Sequence, residues 1–176
     1  MANKQALREL QGRLAERLQA ARQQAQAVGW LAVECRGHGL LFPLAEAGEI
    51  FPLGPLLAVP HTQPWFAGVA NLRGGLHGVI DLGAFLGLAP RPVLPEGARD
   101  AAQLVLLNAS LGVNCALLVD RLAGLRQRDQ MNAAGAPAAP APAFAGALWT
   151  DAGGRAWQEI KLSALAREEH FLAVVR

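Results

Sequence analysis

V-P-H-T-Q-P-W-F-A-G-V-A-N-L-R-G-G-L-H-G-V-I-D-L, running from Val59 to Leu82, decides the fold. Pro60 and Pro64 restrict the backbone on the approach and remove two amide donors. Trp65, Phe66, Val69 and Leu72 then ask for burial. Asn71 and Arg73 stand among them, and such side chains rarely enter an apolar run without partners. Gly74, Gly75 and Gly78 permit a tight reversal with positive φ. Val79 to Leu82 reads as a short buried strand ended by Gly83. The stretch therefore predicts a buried segment carrying an arginine through a glycine turn into a strand, and a buried guanidinium needs an acidic or carbonyl partner.

Upstream of this stretch, residues 3–28 have helical spacing. Leu7, Leu10, Leu14, Leu18, Ala21, Ala25 and Val28 share one face, with Arg8, Arg13, Arg17 and Arg22 elsewhere around it. Asn3 is a possible N-cap and Gly29 a C-terminal stop, so residues 1–29 form an amphipathic helical unit ahead of a domain spanning 30–176. The leucine face packs on the domain or on a partner. A membrane-surface role is disfavoured because the face fades to alanine after Leu18 and has no aromatic anchor. From Trp30 the period changes to two. Trp30–Glu34 and Leu40–Leu44 read as a hairpin around Arg36-Gly37-His38-Gly39. Glu49, Ile50 and Phe51 form a strand that Pro52 and Pro55 break.

Downstream, Leu82–Leu88 suits a turn of helix ending at Gly87, and three prolines open a loop to Asp100. Gln103–Asn108 and Val113–Val119 read as a core hairpin, with Leu122–Arg126 continuing as an outer strand. Residues 133–143, A-A-G-A-P-A-A-P-A-P-A, read as a mobile Ala/Pro-rich loop. Phe144–Thr150 and Arg155–Leu162 make a last hairpin over Asp151-Ala152-Gly153-Gly154. Ser163 is placed to cap a short helix, and Phe171–Val175 forms an apolar tail.

Composition narrows the class. The 176 residues suffice for one domain or two small subdomains sharing a core. With 52% hydrophobic residues, 19 glycines and 11 prolines, short strands and many turns are expected. A formal net charge of +2 falls well short of a nucleic-acid-binding stripe. No apolar run is long enough to span a bilayer, and the charged, Gln-rich N-terminus has no secretory h-region. Cys35 and Cys115 lie in apolar strand-like runs, which predicts two free buried thiols and a cytoplasmic setting.

W-x-x-G-V-x-N-L-R-G followed by V-I-D-L resembles the signature of the CheW-like chemotaxis adaptor family. The longer form, Pro64 to Gly87, is similar to its PilI-type branch, which serves type IV pilus (twitching motility) chemosensory systems. The likeness covers about Trp30 to Leu165. It implies a mainly β fold of two small five-stranded SH3-like barrels around a shared core, preceded by the N-terminal helix. Where the family has V-x-E-I, this chain has Ala47-Gly48-Glu49-Ile50, which makes Glu49 the expected salt-bridge partner of Arg73. Leu118 to Leu122 resembles the family's V-V-D-x-V. Where the last strand of the family ends in leucine-aspartate, this chain has Leu162-Ser163. The resemblance further implies a non-catalytic adaptor that joins the cytoplasmic tip of a chemoreceptor (a methyl-accepting chemotaxis protein) to the regulatory domain of a CheA-like histidine kinase, associated with membrane-anchored receptor arrays. Its receptor-binding groove would be bordered by Ala47, Glu49, Gly68, Asn71, Arg73 and Val119. Flagellar rather than pilus output is the alternative within the family.

The residues themselves point away from catalysis. His38, His61, His77 and His170 have no metal-ligand spacing, and the cysteines form no C-x-x-C. Ser110 and Ser163 stand outside any G-x-S-x-G elbow. Gly74 to Gly78 lacks the phosphate-loop lysine and precedes a strand rather than a helix. Asp81 and Asp120 follow strands and are expected to cap turns or bind backbone. No metal, no cofactor and no enzymatic activity are expected. A small-barrel nucleic-acid-binding protein is the alternative of another class, but the barrel region lacks interleaved lysines and aromatics, with lysine only at Lys4 and Lys161.

Overall fold

The first strand shows why this chain is apolar on both phases of a period-two pattern. In β1, Gly29–Cys35, Trp30 and Ala32 are buried on one face and Leu31, Val33 and Cys35 on the other. Successive side chains of a strand point to opposite faces, so a strand of this kind needs cover on both sides. The computed structural model describes residues 29–89 and 101–176. The expected N-terminal helix and the loop through the three prolines lie outside the described residues.

The strands after β1 are β2 (His38–Pro43), β3 (Ala47–Pro52), β4 (Phe66–Leu72), β5 (Gly75–Asp81), β6 (Gln103–Leu107) and β7 (Cys115–Val119). β8 (Arg121–Gln127), β9 (Met131–Gly135), β10 (Ala145–Asp151) and β11 (Ala156–Ile160) complete the set. Short helices occupy Leu82–Phe85, Leu162–Leu165 and Glu169–Leu172. One sheet has the order β8-β1-β2-β11-β10-β9 and the other β3-β6-β7-β5-β4. The pairs are antiparallel except β2 with β11 and β5 with β7. The first sheet thus joins the two ends of the described chain, and the second is made from its middle.

Both sheets curl. β8 and β9 are the two edges of the six-stranded sheet, yet only the turn Arg128–Gln130 separates them in sequence. In a flat sheet the edges would lie about 24 Å apart. The chain from Gln127 to Met131 reaches about 14 Å at full extension. In the five-stranded sheet the chain leaving β3 crosses to the opposite edge, where Leu57 and Val69 exchange backbone hydrogen bonds of 2.8 Å each. The expected mainly β fold, two small subdomains over a shared core, is what the two curled sheets form. The sheets have six and five strands, and among the described residues no continuous ladder closes either one.

The sixth strand comes from the segment expected to be a loop. Ala133 and Gly135 pair with Trp149 and Leu148 of β10. Ladder bonds use backbone only, so a strand of small exposed residues forms wherever an open edge receives it. The strandless connection therefore begins at residue 136.

Each curl encloses its own apolar core. Trp30, Ala32, Leu41, Met131, Trp149 and Trp157 fill the six-stranded one. Ala70, Leu72, Val79, Leu104, Ala116 and Leu118 fill the other. The opposite phases of the same strands, among them Leu31, Val33, Phe42, Val105, Leu117 and Val119, meet in a third core between the sheets. Cys35 and Cys115 are buried in that core outside any disulfide, and burial pushes the Cys115 thiol up to about 12. At its edge Ser163 sits inside the helix Leu162–Leu165 rather than capping it. The carboxylate of Glu46, from the β2–β3 turn, accepts from the Ser163 backbone N at 3.1 Å and its hydroxyl at 2.7 Å.

Two hairpins turn on the same dipeptide. Arg36-Gly37 joins β1 to β2 with φ of 52° and 81°, and Arg73-Gly74 joins β4 to β5 with φ of 51° and 78°. Positive φ at both central residues is what a two-residue type I′ hairpin turn requires. The arginine side chains have opposite fates. Arg36 is the buried guanidinium, 5% exposed, and its Nη2 donates to both carboxylate oxygens of Asp81 at 2.7 and 2.8 Å. Its Nη1 donates to the Ala89 carbonyl and its backbone N to Asp120. Asp81 also accepts from the Ala84 amide and so caps the helix Leu82–Phe85. This cluster ties the β1–β2 turn of one sheet to the end of β5 in the other. Arg73 was expected to be the buried one, and it is 74% exposed. In β4, Ala70 and Leu72 take the inward phase, which leaves Asn71 outward and delivers Arg73 to the solvent side of the turn.

On the six-stranded sheet Glu34 accepts from Arg121 Nε at 2.6 Å and also from Arg155. The hydrogen bond from Arg121, reinforced by Arg155 and opposed by partial burial, holds the Glu34 carboxyl below its ordinary range.

Arg36→Ala strands Asp81 at a largely closed interface and is expected to lower unfolding stability by about 3 kcal/mol. Arg36→Lys should recover little of this, because an ammonium cannot reproduce the fork. A urea denaturation shift below about 1 kcal/mol for Arg36→Ala would refute the assignment. The depressed Glu34 pKa predicts stability that is fully present above about pH 4.3, the unfolded value, and lost as pH falls through the folded one. The acid limb of a pH-stability curve should therefore be shallower in Glu34→Gln. An unchanged limb would show that other carboxylates govern acid unfolding.

Candidate functional site

The two edges of the five-stranded sheet meet where the sequence pointed. β3 pairs with β6 through Ala47↔Leu107 and Ile50↔Val105, so β3 carries one extra residue across Gly48-Glu49. A bulge of this kind re-aims side chains, and Glu49 and Ile50 both face solvent. On the opposite edge β4 runs into the Arg73-Gly74 turn. Arg73 Nη1 and Glu49 Oε1 lie 2.9 Å apart, with the side chains 74% and 50% exposed. The pair spans the open side of the curl, from the β3 edge to the β4–β5 turn. At this exposure it contributes about 0.2–1 kcal/mol, far below the penalty for stranding a buried charge. Its structural effect is to hold two polar groups in a fixed place on the surface.

The other residues expected at a groove divide into two sets. Asn71 is exposed and Ala47 is half-buried. Gly68 and Val119 are buried and offer no side-chain surface. Val119 is fully enclosed in the core between the sheets. Gly68 has φ of 134°, and a Cβ there would stand 2.5 Å from the Leu57 carbonyl oxygen. Its role is to let the segment after β3 bond to β4, which brings the two edges together.

The surface also contains residues that sequence reasoning missed. Leu57 is 73% exposed and Leu76 is 70% exposed, and Ile50 lies beside Glu49 on β3. Leu57 pairs with Val69, and Leu76 with Asn71. The ion pair is thus carried by elements that also present large aliphatic groups to water. One available signal was Leu76: it takes an outward position of a half-buried hairpin, where the alternation calls for a polar residue. An apolar surface with a few fixed polar groups is suited to protein docking rather than to bond making.

Reactive groups elsewhere are engaged structurally. Asp81 and Asp120 serve Arg36, as described, and the rings of His38 and His77 lie 3.1 and 3.0 Å from the carbonyls of Arg36 and Gly75. Among the described residues no group of three or more His, Cys, Asp or Glu gathers where a metal ion could be held. None of the described helices is long and apolar enough to cross a membrane.

Comparison with known proteins bears on the same residues. The chain is 30% identical to Protein PilI of Pseudomonas aeruginosa over 114 residues, 65% of this chain and 61% of that relative. It therefore spans less than two thirds of the relative's length. Among solved structures, the scaffolding protein TtCheW from Thermoanaerobacter tengcongensis superposes with a TM-score of 0.61 at 18% identity, covering 76% of this chain and 88% of that one. That likeness establishes the fold. The profile of the CheW-like domain matches residues 29–170, which takes in every described strand. With that match across most of its length, the chain belongs to the CheW-like domain family.

Proposed function

We propose that this chain is a non-catalytic adaptor that couples the cytoplasmic tip of a chemoreceptor to the regulatory domain of a CheA-like histidine kinase. Its output is control of type IV pilus twitching motility, and it works in the cytoplasm beside membrane-anchored receptors. The observation that carries this reading is the exposed Glu49–Arg73 pair flanked by Ile50, Leu57 and Leu76. A receptor tip is a helical surface, and helical partners are anchored by apolar side chains with polar groups setting orientation. Family membership supports the adaptor role, and the likeness to Protein PilI supports the pilus system. The receptor contact is assigned to Glu49, Asn71 and Arg73 with half-buried Ala47 beside them. Gly68 and Val119 act beneath this surface, by shaping it.

The test separates binding from stability. Arg73→Ala and Glu49→Ala should each change unfolding free energy by less than about 1 kcal/mol, yet weaken binding to a purified receptor signalling fragment about tenfold or more. Binding to the kinase regulatory domain should stay within about twofold. The double variant should lose less than the sum of the single losses if the pair acts as one unit. Full receptor affinity in both single variants, measured by titration calorimetry, would sink the assignment. Leu76→Asp should also abolish receptor capture without unfolding the domain, since Leu76 is 70% exposed.

A further inference from the structure

The segment that crosses from β3 to β4, residues 53–65, has no helix or strand of its own, yet it presents Leu57 on the surface assigned to the receptor. A stretch of this length without secondary structure is ordered only where other parts of the chain hold it. One hold is the reciprocal pair of backbone hydrogen bonds between Leu57 and Val69. The other comes from the stretch after β11. The Gln63 amide donates to the Val174 carbonyl at 2.8 Å, and the Arg176 amide donates to the His61 carbonyl at 3.0 Å. Between these bonds Thr62 and Val175 face each other as an antiparallel bridge. His61 has a φ of 59°, a conformation that a side-chain-bearing residue keeps only where its surroundings enforce it.

The holding stretch is itself anchored. Phe171 is buried, lies parallel to the Trp65 ring with centres 6.4 Å apart, and meets Phe85 edge-on at 5.3 Å. The same stretch grips the chain on the other flank of β3, where Ser163 donates to the carboxylate of Glu46, the residue before Ala47. β3 is an edge strand that meets β6 through a bulge, so its own ladder fixes it only in part.

We propose that residues 162–176 form a clamp that positions the receptor surface. Ser163 fixes the chain entering β3, and residues 174–176 fix the chain leaving it. Glu49, Ile50 and Leu57 are thereby held in one arrangement before a partner arrives. The proposal deepens the receptor reading and rests on it for its consequence in binding. Preorganisation raises affinity by removing the cost of ordering from the binding step. Phe171, Val174 and Arg176 are positioning residues that act on the docking surface through His61 and Gln63.

The test uses the full chain. Phe171→Ala removes the anchor. The amides of Gln63 and Leu57 should then exchange about tenfold faster while those of β7 stay protected. Affinity for the receptor signalling fragment should fall about fivefold. Thr62→Cys and Val175→Cys are then added to the same chain, because facing positions of an antiparallel bridge lie within disulfide reach. Val175 is exposed, and the native cysteines are buried. Oxidation should return exchange and affinity to within about twofold of the parent chain, and reduction should abolish the recovery. A role of Phe171 in core packing alone gives no such rescue of affinity. If Phe171→Ala loses the β7 protection, Arg176→Pro, which removes only the amide bonded to His61, is measured against the same expectations. Unchanged exchange at Leu57, with or without faster exchange at Gln63, would overturn the proposal. So would unchanged affinity in the opened chain when Arg73→Ala weakens binding. If Arg73→Ala also leaves affinity unchanged, the receptor reading itself has failed, and exchange at Leu57 alone then decides whether the clamp holds the segment.

Discussion

Strands without a polar face govern this architecture. β1, β6 and β7 bury apolar side chains on both phases, so no single sheet with one wet face can accommodate them. The solution is two curled sheets, each packed with its own side chains, pressed back to back over a third core. Among the described residues, those buried along their whole length are apolar or glycine, and the enclosed guanidinium of Arg36 stands as the charged group set among them. Apolar packing is non-directional and tolerates a range of relative orientations. The Arg36 cluster supplies direction. A planar fork that must meet both oxygens of Asp81 while the turn amide meets Asp120 admits few alternative dockings of one sheet on the other.

The two Arg-Gly turns show how much a residue's role depends on where its hairpin ends. Their backbones are nearly superposable in φ, and each places an arginine where glycine or asparagine is commoner. At the sheet–sheet junction the side chain is enclosed and becomes a structural tie. At the free end of the other hairpin it stays in water, contributes little to stability, and is available to a partner. The open side of the five-stranded sheet therefore carries an exposed, fixed ion pair on a frame that gains little stability from it.

Much of this was legible in the residues. The period-two runs placed most strands within a residue or two, because their apolar content leaves no competing pattern. The glycine-bearing motif from Trp65 to Leu82 identified the second sheet and, through the family likeness, the pairing of Glu49 with Arg73. What could not be read was the phase of burial around Arg73. A run mixing apolar residues with Asn71 and Arg73 reads as wholly buried until the pairing of β4 with β5 shows which phase faces in. The same limit hid Arg36, since a turn arginine is ordinarily solvated and nothing local announces that Asp81 arrives from another sheet. β9 escaped because Ala133 and Gly135 have no strand preference; an unpaired edge of β10 captured them. Val119 and Gly68 match the family pattern, but their positions serve packing and close backbone approach, which a motif does not distinguish from contact.

The interleaving of the two sheets has a consequence for how the protein is made. β3 to β7 are contiguous in the chain, so the five-stranded sheet has all its strands once Val119 has left the ribosome. β1 and β2 emerge first but are flanked in the finished sheet by β8 on one side and β11 on the other, so this hairpin waits for nearly the last strand to be synthesised. During that interval Leu31, Val33, Leu40 and Phe42 can already rest on the completed neighbour, because that sheet presents the other half of the shared core. Trp30 and Leu41, facing the opposite way, have no cover until Trp149 and Trp157 arrive. While synthesis lies between β7 and β11 the chain holds every strand of one sheet but only part of the other, and uncovered strand edges of that kind invite association with other chains.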